Sequence, residues 1–582
     1  MDTTTNEPSV GDSSRPAGQR DSTARVAARR VAAEITDIRN LVGIVVGLVA
    51  AAFALGVAEM LAGIVSTWKS PIIDVGDRFI ELVPPFVKDI AIELFGTNDK
   101  VALVVGTGVL LAIYGAVIGA LSFRRDVRIG LVGFALFGLI GFVAVVTKAT
   151  DPGILATTPI VGGTLLGATV FYLAHRFITA DAGAHGDHDT SEADEISAGD
   201  PSNGDSDADS ASNADTEVAG STRRQVLVRS GGVVAVLALA GGGTAAFGRR
   251  LRSRFSAADS RRDLRLPVAA EPLAEAPDAV TVDVDNMSDF YTPNETFYRI
   301  DTALTVPQLR TEDYNLTVSG MVDNTINLSF DDLVQRNVQE YDITLTCVSN
   351  TVGGNLIGNA RWLGVRLDEL LEEAGVSPDA TQVVGRSIDG YTCGFPIEAA
   401  TDGRNALVAF GMNGEPLPLE HGFPVRLIVP GLYGYISATK WLTEIELTTF
   451  EDFESYWVPR GYADRAPIKI QSRIDTVDGL GTLERDADGV AAIGGVAWAQ
   501  TRGISAVEVK IDDGEWEPAE LGEALNDDTW RQWAYRWTPA SEGRSSITTR
   551  AIDGNGEVQT DERVEPLPNG ASGHHQIVVF IA

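Results

Sequence analysis

The segment DITLTCVSNTVGG places Cys347 at the end of an apolar run, just before a loop of Ser, Asn and Gly. The 582-residue chain has one other cysteine, Cys393. Three chemistries fit this pattern. Cys347 is a buried structural side chain, one half of a disulfide with Cys393, or a thiolate that binds a soft metal. The segment by itself does not decide between them.

A second group of residues has the side chains needed to bind an anion. In LEHGFPVRLIVPGLYGYISATKW, His421, Arg426 and Lys440 lie close together in sequence, between strand-like runs. Lys440 is one of 7 lysines in a chain with 39 arginines. Positive donors grouped on loops suit a phosphate or a polyanionic cofactor. The alternative is that Arg426 and Lys440 merely pair with surface carboxylates, and these residues alone fit both interpretations.

The elements that must position these side chains predict an α+β domain over residues 264–450. YNLTVSGMV and DITLTCV have the composition of strands, and SFDDLVQR and RLDELLEEAG have apolar residues at helical spacing. Ser329 can cap the first of these helices, and acidic residues follow in its first turn. Strands alternating with brief helices indicate a mixed sheet.

Residues 471–582 form a different, purely β region. SAVEVKID alternates apolar and charged residues, and WRQWAYRW places Trp533, Tyr535 and Trp537 on one face. Turn sequences such as DDGE and DGNG separate these runs. Six or seven such strands fit an immunoglobulin-like sandwich.

The N-terminal part predicts a membrane region. After a tail over residues 1–40, the region 41–176 contains four apolar runs, each long enough to cross a bilayer: Leu41–Ser66, Val101–Leu121, Ile129–Val146 and Ile154–Ala174. Arginines precede the first run and separate the second from the third, which places the tail and that connection in the cytoplasm. Between the first two runs, SPIIDVGDRFIELVPPFVKDIAIELFG has the pattern of an amphipathic segment at the outer interface.

Two further segments connect the membrane region to the globular part. Residues 177–220 are acidic and rich in Ser, Gly and Asp, which predicts a disordered linker. Residues 221–248 contain Arg223 and Arg224 followed by a Gly-rich apolar run, which resembles a twin-arginine export signal. If this segment stays in place as a fifth span, the rest of the chain is extracytoplasmic. The basic stretch GRRLRSRF after it runs against the positive-inside tendency.

The charge of the chain excludes one class of partner. Its net charge of −34 argues against nucleic acid, because binding phosphate backbones needs an excess of Lys and Arg. Many acidic residues, together with Arg in place of Lys, are typical of a halophilic protein that stays soluble in high salt.

Several segments together are similar to one known family. FYRIDTAL, LTCVSN, ARWLGVRL, IDGYTCGFP, GMNGEPLPLEHGFPVRLIVPG, TKWL and YWVPRGY resemble, in order and spacing, the molybdenum-binding domain of the sulfite oxidase family. VAWAQ, VEVKIDDGEW and TWRQWAYRW resemble the dimerisation domain of that family. The resemblance covers about residues 280–582 and leaves the membrane region outside.

The resemblance implies roles for eight residues and gives Cys393 no role as a ligand. Cys347 would supply a thiolate to molybdenum, beside the dithiolene of a single molybdopterin, and Cys393 would be a buried small residue. Arg299 would face the substrate oxyanion, and Tyr462 would assist proton movement near the metal. The remaining positions would hold the pterin and its phosphate: His421, Arg426 and Lys440, with Asp389 and Ser437 as weaker candidates.

The sequence also departs from animal and plant sulfite oxidases. Val352 stands where a basic residue is expected, an arginine near the C-terminus is missing around LPNGASGHH, and Asp301 stands where the family often has His. Each lost charge-assisted hydrogen bond to a dianion is worth roughly 1.5 to 3 kcal/mol. The substrate is therefore left open by these residues.

The resulting prediction is a membrane-anchored molybdopterin oxidoreductase that transfers an oxygen atom to or from a small sulfur oxyanion or an S-oxide. No haem-attachment motif is present in the sequence, so a separate electron carrier, a cytochrome or a copper protein, is expected. Membrane lipid and a second copy bound through the C-terminal domain are the other expected partners. Two rival predictions are an S-oxide reductase of the methionine sulfoxide type and an interaction module without metal.

Overall fold

The computed structural model describes residues 17–65, 68, 70–82, 99–147, 154–179, 256–582 and most of 231–251. Nearly all of the predicted linker and the Arg223–Arg224 pair lie outside the described residues. The chain divides into two compact units, Met1–Arg254 and Phe255–Ala582.

The first unit is helical. Its main elements are α1 (Ala17–Ala62), α2 (Pro71–Leu82), α3 (Asp99–Arg124), α4 (Val127–Val146) and α5 (Thr158–Thr179). Four described helical segments are long and apolar enough to cross a membrane: Ile38–Ala62, Ala102–Arg124, Val127–Val146 and Ile154–Thr179.

These segments coincide with the four runs predicted from the sequence. Helix α1 begins within the predicted tail, and α2 forms the first half of the predicted amphipathic segment, whose second half, residues 83–98, lies outside the described residues. The described parts of 221–248 are helical.

The second unit begins with a mixed domain built on two sheets. Helix α6 (Ala257–Asp263) precedes them. The first sheet has the order β2-β1-β10-β5-β6, with β1 parallel to β10 and the other pairs antiparallel. Its strands are β1 (Asn315–Gly320), β2 (Ile326–Ser329), β5 (Gln382–Ser387), β6 (Thr392–Pro396) and β10 (Leu442–Thr448).

The second sheet of this domain has the order β3-β4-β7-β8, and β9 pairs with β7. Its strands are β3 (Val338–Thr346), β4 (Ile357–Arg366), β7 (Leu407–Met412), β8 (Glu415–Pro416) and β9 (Arg426–Ile428). Four short helices connect the two sheets: α7 (Phe330–Val334), α8 (Leu367–Ala374), α9 (Glu398–Thr401) and α10 (Gly434–Ser437).

Helix α7 shows how local sequence fixes these connections. Ser329 is its N-cap: the Ser329 hydroxyl accepts from the backbone N–H of Asp332, and the Asp332 carboxylate accepts from the N–H of Ser329 at 2.9 Å. This reciprocal pair is a capping box, and it satisfies two donors that the helix end leaves open. The predicted cap and helix are both confirmed.

The C-terminal region is the predicted sandwich of two sheets. One has the order β11-β13-β17-β16 and the other β12-β19-β18-β14-β15. The strands are β11 (Gln471–Ile474), β12 (Thr482–Leu483), β13 (Ala491–Trp498), β14 (Ile504–Ile511), β15 (Glu517–Pro518), β16 (Glu520–Leu521), β17 (Arg531–Trp537), β18 (Gly543–Asp553) and β19 (His575–Ile581). Trp533 and Tyr535 are buried in its core, and Trp537 packs against it.

The mixed domain and the sandwich share a core. Trp498 and Trp530 of the sandwich belong to the same buried cluster as Leu316, Val365 and Phe410 of the mixed domain. The predicted domains 264–450 and 471–582 therefore keep separate sheets but pack as one compact unit.

Candidate functional site

One cavity in the second unit gathers most of the predicted site residues. Loops at strand ends supply its walls, as is usual for sites held on a rigid scaffold. The predicted residues that line it are Cys347, Asp389, His421, Arg426 and Lys440.

Cys347 lies directly after β3, where the chain leaves the sheet. Its backbone N–H donates to the carbonyl of Leu356 at 2.9 Å, which closes the loop between β3 and β4. The side chain is buried, and both it and Cys393 are free thiols, so the disulfide alternative is wrong in this structure. Burial raises the pKa of the Cys347 thiol, with a smaller opposing effect from hydrogen bonding to Ser349. A thiolate here therefore needs a positive partner in the cavity.

Lys440 lies just before β10, and its ammonium group is buried. Lys440 Nζ donates to Asp301 Oδ2 at 2.8 Å and to the carbonyl of Glu420 at 2.9 Å. The same Nζ lies 4.6 Å from the centre of the Trp441 ring. Burial lowers the pKa of Lys440 to about 8, although Asp301 opposes the shift. Lys440 does pair with a carboxylate, but that carboxylate is not on the surface: the Asp301 side chain is only 3% exposed and lines the cavity.

Arg426 opens β9 and stacks on Trp362, with its guanidinium carbon 5.1 Å from the ring centre. It donates to the carbonyl of His421 at 3.1 Å. Its buried Nε has no hydrogen-bond partner, and within the described residues Arg426 is in no ion pair. Burial lowers the pKa of Arg426 to about 10, so the side chain keeps its charge at neutral pH.

His421 stands beside these cations as a neutral ring. Its Nε2 lies 3.1 Å from the carbonyl of Asn294, so the proton is on Nε2. Burial lowers the pKa of His421 to about 4, and repulsion from Arg426 and Lys440 adds to the shift. His421 therefore contributes a hydrogen-bonding ring and no charge at neutral pH.

Gly422 allows the two cations to approach each other. Its φ is +111°, a conformation that favours glycine. A Cβ at this position would lie 3.0 Å from Lys440 Cβ and 3.1 Å from Arg426 Cβ. The site therefore depends on the absence of a side chain here.

Aromatic residues that the sequence analysis did not select form much of the remaining wall. Tyr298, Tyr391, Tyr435 and Trp457 all line the cavity. Burial raises the pKa of Tyr298, and proximity to Cys347 adds to the effect. Tyr298 directly precedes Arg299 in FYRIDTAL, so the segment chosen for Arg299 also contained this residue of the cavity wall.

Three predicted residues do not line the cavity. Arg299 is 40% exposed and donates from Nε to Asp301 Oδ2 at 2.8 Å, while its neighbour Ile300 faces the cavity instead. The buried Ser437 hydroxyl donates to the carbonyl of Tyr433 at 3.0 Å. Tyr462 packs against two residues of the wall, with its ring centre 5.2 Å from Trp457 and 5.5 Å from Tyr435.

Asp389 does line the cavity, at the turn between β5 and β6. Its Oδ1 accepts from the backbone N–H of Tyr391 at 3.0 Å, so this carboxylate is engaged in holding the turn.

A family model and several known proteins are similar to this chain. A family model described as oxidoreductase molybdopterin binding domain matches residues 303–457. The mitochondrial sulfite oxidase of Drosophila melanogaster is 31% identical over 391 residues, covering 57% of this chain and 66% of that protein. The oxidoreductase YuiH of Bacillus subtilis is 37% identical over 149 residues, covering 26% of this chain and 72% of that protein. The chain belongs to the sulfite oxidase family.

The region of this chain that the family model matches contains Cys347, His421, Arg426 and Lys440. Arg299 lies just before that region and Tyr462 just after it. The chain spans 59% to 70% of the length of the animal sulfite oxidases that it matches, and the upper value is for the sulfite oxidase of Gallus gallus, which is 30% identical. The crystal structure of the sulfane dehydrogenase SoxCD from Paracoccus pantotrophus aligns with a TM-score of 0.44 and 21% identity, covering 53% of this chain and 87% of that one.

The residues of the cavity fit the cofactor that the family model names. Arg426 has a charged guanidinium with a buried Nε that lacks a partner, and Lys440 is a second buried cation. An anionic group in the cavity would satisfy that donor and offset the cost of burying both charges. Cys347 offers a soft sulfur ligand in the same cavity.

Proposed function

We propose that this chain is a membrane-anchored molybdenum-cofactor oxidoreductase of the sulfite oxidase type. The observation that carries the proposal is the shared cavity: the thiol of Cys347 and the buried cations of Arg426 and Lys440 line one space in the region that the family model matches. Burial raises the pKa of Cys347 and so favours the neutral thiol, and a neutral thiol does not by itself explain two buried cations. A cofactor with both a soft metal and an anionic group needs both.

In this proposal the chain holds molybdopterin through Arg426 and Lys440 and binds molybdenum through the Cys347 sulfur. When bound, the cofactor supplies the oxygen-atom transfer. Arg426 has a rigid fork of donors suited to a phosphate, and its guanidinium packs over the Trp362 ring, with 5.1 Å from the guanidinium carbon to the ring centre. Neutral His421 donates from Nε2 to the carbonyl of Asn294, which keeps the ring fixed beside both cations.

Arg299 and Tyr462 keep their predicted roles within the proposal, in modified form. Since Arg299 contacts Asp301 and Ile300 occupies the wall, Arg299 would act on the cavity through the Asp301 carboxylate. Tyr462 packs on Trp457 and Tyr435 at the edge of the cavity, where a phenol hydroxyl could exchange a proton with a substrate. Ser437 would support the cofactor loop indirectly, through its bond to Tyr433.

The substrate in the primary proposal is a small sulfur oxyanion. A second candidate, reduction of an S-oxide of the methionine sulfoxide type, is favoured by one observation. Asp301 accepts from both Lys440 and Arg299, and the exposed apolar side chain of Ile300 stands beside it. This part of the wall therefore has less net positive charge than a dianion would require.

The membrane part of the proposal rests on the four apolar helices. The arginines before the first span and between the second and third support a cytoplasmic location for those segments. Passage of residues 221–248 through the membrane would then make the catalytic unit extracytoplasmic. The electron carrier, a cytochrome or copper protein, would then meet the enzyme on that side. A second copy bound through the sandwich completes the proposed assembly.

Analysis of metal, pterin and activity in one preparation tests the proposal. Purified full-length protein should contain molybdenum and molybdopterin at close to one per chain. It should oxidise sulfite or reduce methionine sulfoxide with artificial electron carriers, and the preferred reaction selects between the two candidates. Protein that folds in a host able to make the cofactor but contains no molybdenum would support the metal-free interaction module instead.

The topology has a separate test. A protease added to intact cells should digest the sandwich of the native chain, and the same treatment should leave the tail before the first span intact. Protection of the sandwich until the cells are lysed would place the catalytic unit in the cytoplasm.

A further inference from the structure

The loop that carries Cys347 is held at its far end by the sandwich. It runs from Cys347 to Leu356, between β3 and β4. The Asn350 N–H donates to the Cys347 carbonyl at 3.0 Å, and Asn350 Oδ1 accepts from the Leu356 N–H at 2.9 Å. These bonds join both ends of the loop, so its residues form one connected unit.

Arg473 of β11 makes the first contact of the sandwich with this loop. Its Nη1 donates to the carbonyl of Gly354 at 2.9 Å. Two further contacts fix the guanidinium: Asp475 on the same chain segment accepts from Nε at 2.5 Å and from Nη2 at 3.1 Å, and Ser288 Oγ accepts from Nη2 at 3.2 Å. The side chains of Arg473 and Asp475 are only 10% and 5% exposed. A buried guanidinium with this many partners holds the Gly354 carbonyl in one place.

His575 of β19 makes the second contact. Its Nδ1 accepts from the backbone N–H of Ile474 at 3.0 Å, which fixes the ring. A Cβ on Gly353 would lie 2.3 Å from His575 Nε2 and 2.4 Å from Cδ2, and Gly353 has a φ of +79°. The ring therefore occupies the space beside Gly353 and stops the loop from moving toward the sandwich.

We propose that Arg473 and His575 are positioning residues that fix the loop of Cys347, so that the sandwich completes the site of the sulfur ligand. Arg473 holds Gly354 in place, His575 blocks displacement at Gly353, and the bonds of Asn350 carry both constraints to Cys347. The sandwich then has a role inside each chain that is separate from pairing with a second copy. The contacts of Arg473 and His575 are independent of the proposed function, whereas their role in placing a metal ligand rests on it.

The reactivity of Cys347 in protein made without molybdenum tests this inference directly. Arg473→Ala should raise the rate of Cys347 alkylation by iodoacetamide about tenfold, because loss of one charge-assisted hydrogen bond increases the population of open loop by about that factor. Cys393, which is fully buried in β6, serves as the internal reference, and mass spectrometry distinguishes the two sites. Arg473→Lys, which keeps the charge but not the fork, should give a smaller increase.

Arg502 provides a matched control in the same sandwich. It pairs with buried Asp553 at 2.8 Å and donates to the carbonyl of Ile468 at 3.1 Å, and within the described residues its side-chain hydrogen bonds do not involve the Cys347 loop. Arg502→Ala should lower stability without selective labelling of Cys347. Equal acceleration by both variants would show a general loosening of the sandwich and overturn the inference.

A variant of His575 distinguishes an effect on the position of the Cys347 loop from an effect on the stability of the whole protein. His575→Asn retains an acceptor for Ile474 but removes the ring beside Gly353, so Cys347 labelling should rise while the unfolding temperature stays close to that of the unchanged protein. Labelling at the original rate in both folded His575→Asn and Arg473→Lys would also overturn the inference. Since the assay needs no cofactor, its result is independent of whether the chain proves to be a molybdenum enzyme.

Discussion

Lys440 and Asp301 form a buried ion pair in the wall of the cavity, with Nζ 2.8 Å from Oδ2. The same carboxylate oxygen also accepts from Arg299 at 2.8 Å. One acidic side chain thus offsets two cations at the place where an anion would bind. Asp301 should therefore oppose the binding of dianions.

Asp301→Asn should increase the affinity for sulfate about tenfold, because the cations regain free donors for an anion. The measurement is calorimetric titration of the purified protein at pH 6. Loss of Asp301 lowers the pKa of Lys440 further, and at pH 6 the ammonium should still keep its proton. Asp389→Asn is the control, since Asp389 lines the same cavity but bonds to the Tyr391 backbone. Unchanged affinity in Asp301→Asn would contradict this role.

Lys440 should make the stability of the cofactor-free protein depend on pH. Its pKa in the folded state is about 8, against 10.5 as the ordinary value, so the unfolded chain binds more protons between these limits. The free energy of unfolding should therefore gain up to about 3 kcal/mol from this group as pH rises from 8 to 10.5. Urea unfolding of wild type and Lys440→Met isolates the contribution, because other groups titrate alike in both. Parallel curves for the two proteins would refute it.

Arg426→Lys should lower the amount of bound molybdopterin about tenfold or more, although the charge is retained. Lysine lacks the planar fork and cannot reproduce both the bond to His421 and the stacking on Trp362. The readout is pterin and molybdenum per chain after gel filtration. Arg366→Lys is the control, because Arg366 is also largely buried but pairs with Asp368. If Arg426→Lys keeps its full content of molybdopterin, the planar guanidinium of Arg426 is not what determines cofactor binding.

The two cysteines should respond differently to replacement. Cys347→Ser should abolish turnover in a folded protein, since a hydroxyl is a poor substitute for a soft thiolate ligand. Cys393→Ala should keep turnover and lose about 1 kcal/mol of stability from a small cavity in the core. Activity assays beside thermal unfolding check both. Retained turnover in Cys347→Ser would remove the thiolate from the proposed function.

Gly422→Ala should both destabilise the protein and weaken cofactor binding. The backbone strain at positive φ costs about 1–2 kcal/mol, and the added Cβ must also displace Arg426 or Lys440. Gly414→Ala measures the strain alone, because Gly414 has a φ of +78° and a Cβ there would meet no atom within 4 Å. If the two variants have equal cofactor content, Gly422 does not govern the approach of the cations.

The sequence predicted the cavity better than the details of its wall. Cys347, His421, Arg426 and Lys440 were expected together, and the fold brings them into one cavity. Cys347, Arg426 and Lys440 lie at or near strand ends, and His421 lies in the connection between β8 and β9. Arg299 and Ile300 show where prediction ended. Ile300, Asp301 and Thr302 all line the cavity and Arg299 does not. Because this segment is not a regular strand, no simple alternation predicts which side chain faces the cavity. The aromatic wall was missed because tyrosines are more often explained by a core than by a ligand.

The contact between Gly353 and His575 has a consequence for biogenesis. His575 belongs to the last strand of the sandwich, so the ribosome synthesises it long after β3 and Cys347, which follows β3 directly. The ligand loop reaches its final shape only when that last strand has joined its sheet. If this loop holds the metal as proposed, a nascent chain that lacks His575 would offer an incomplete site, and metal insertion would then follow synthesis of the last strand.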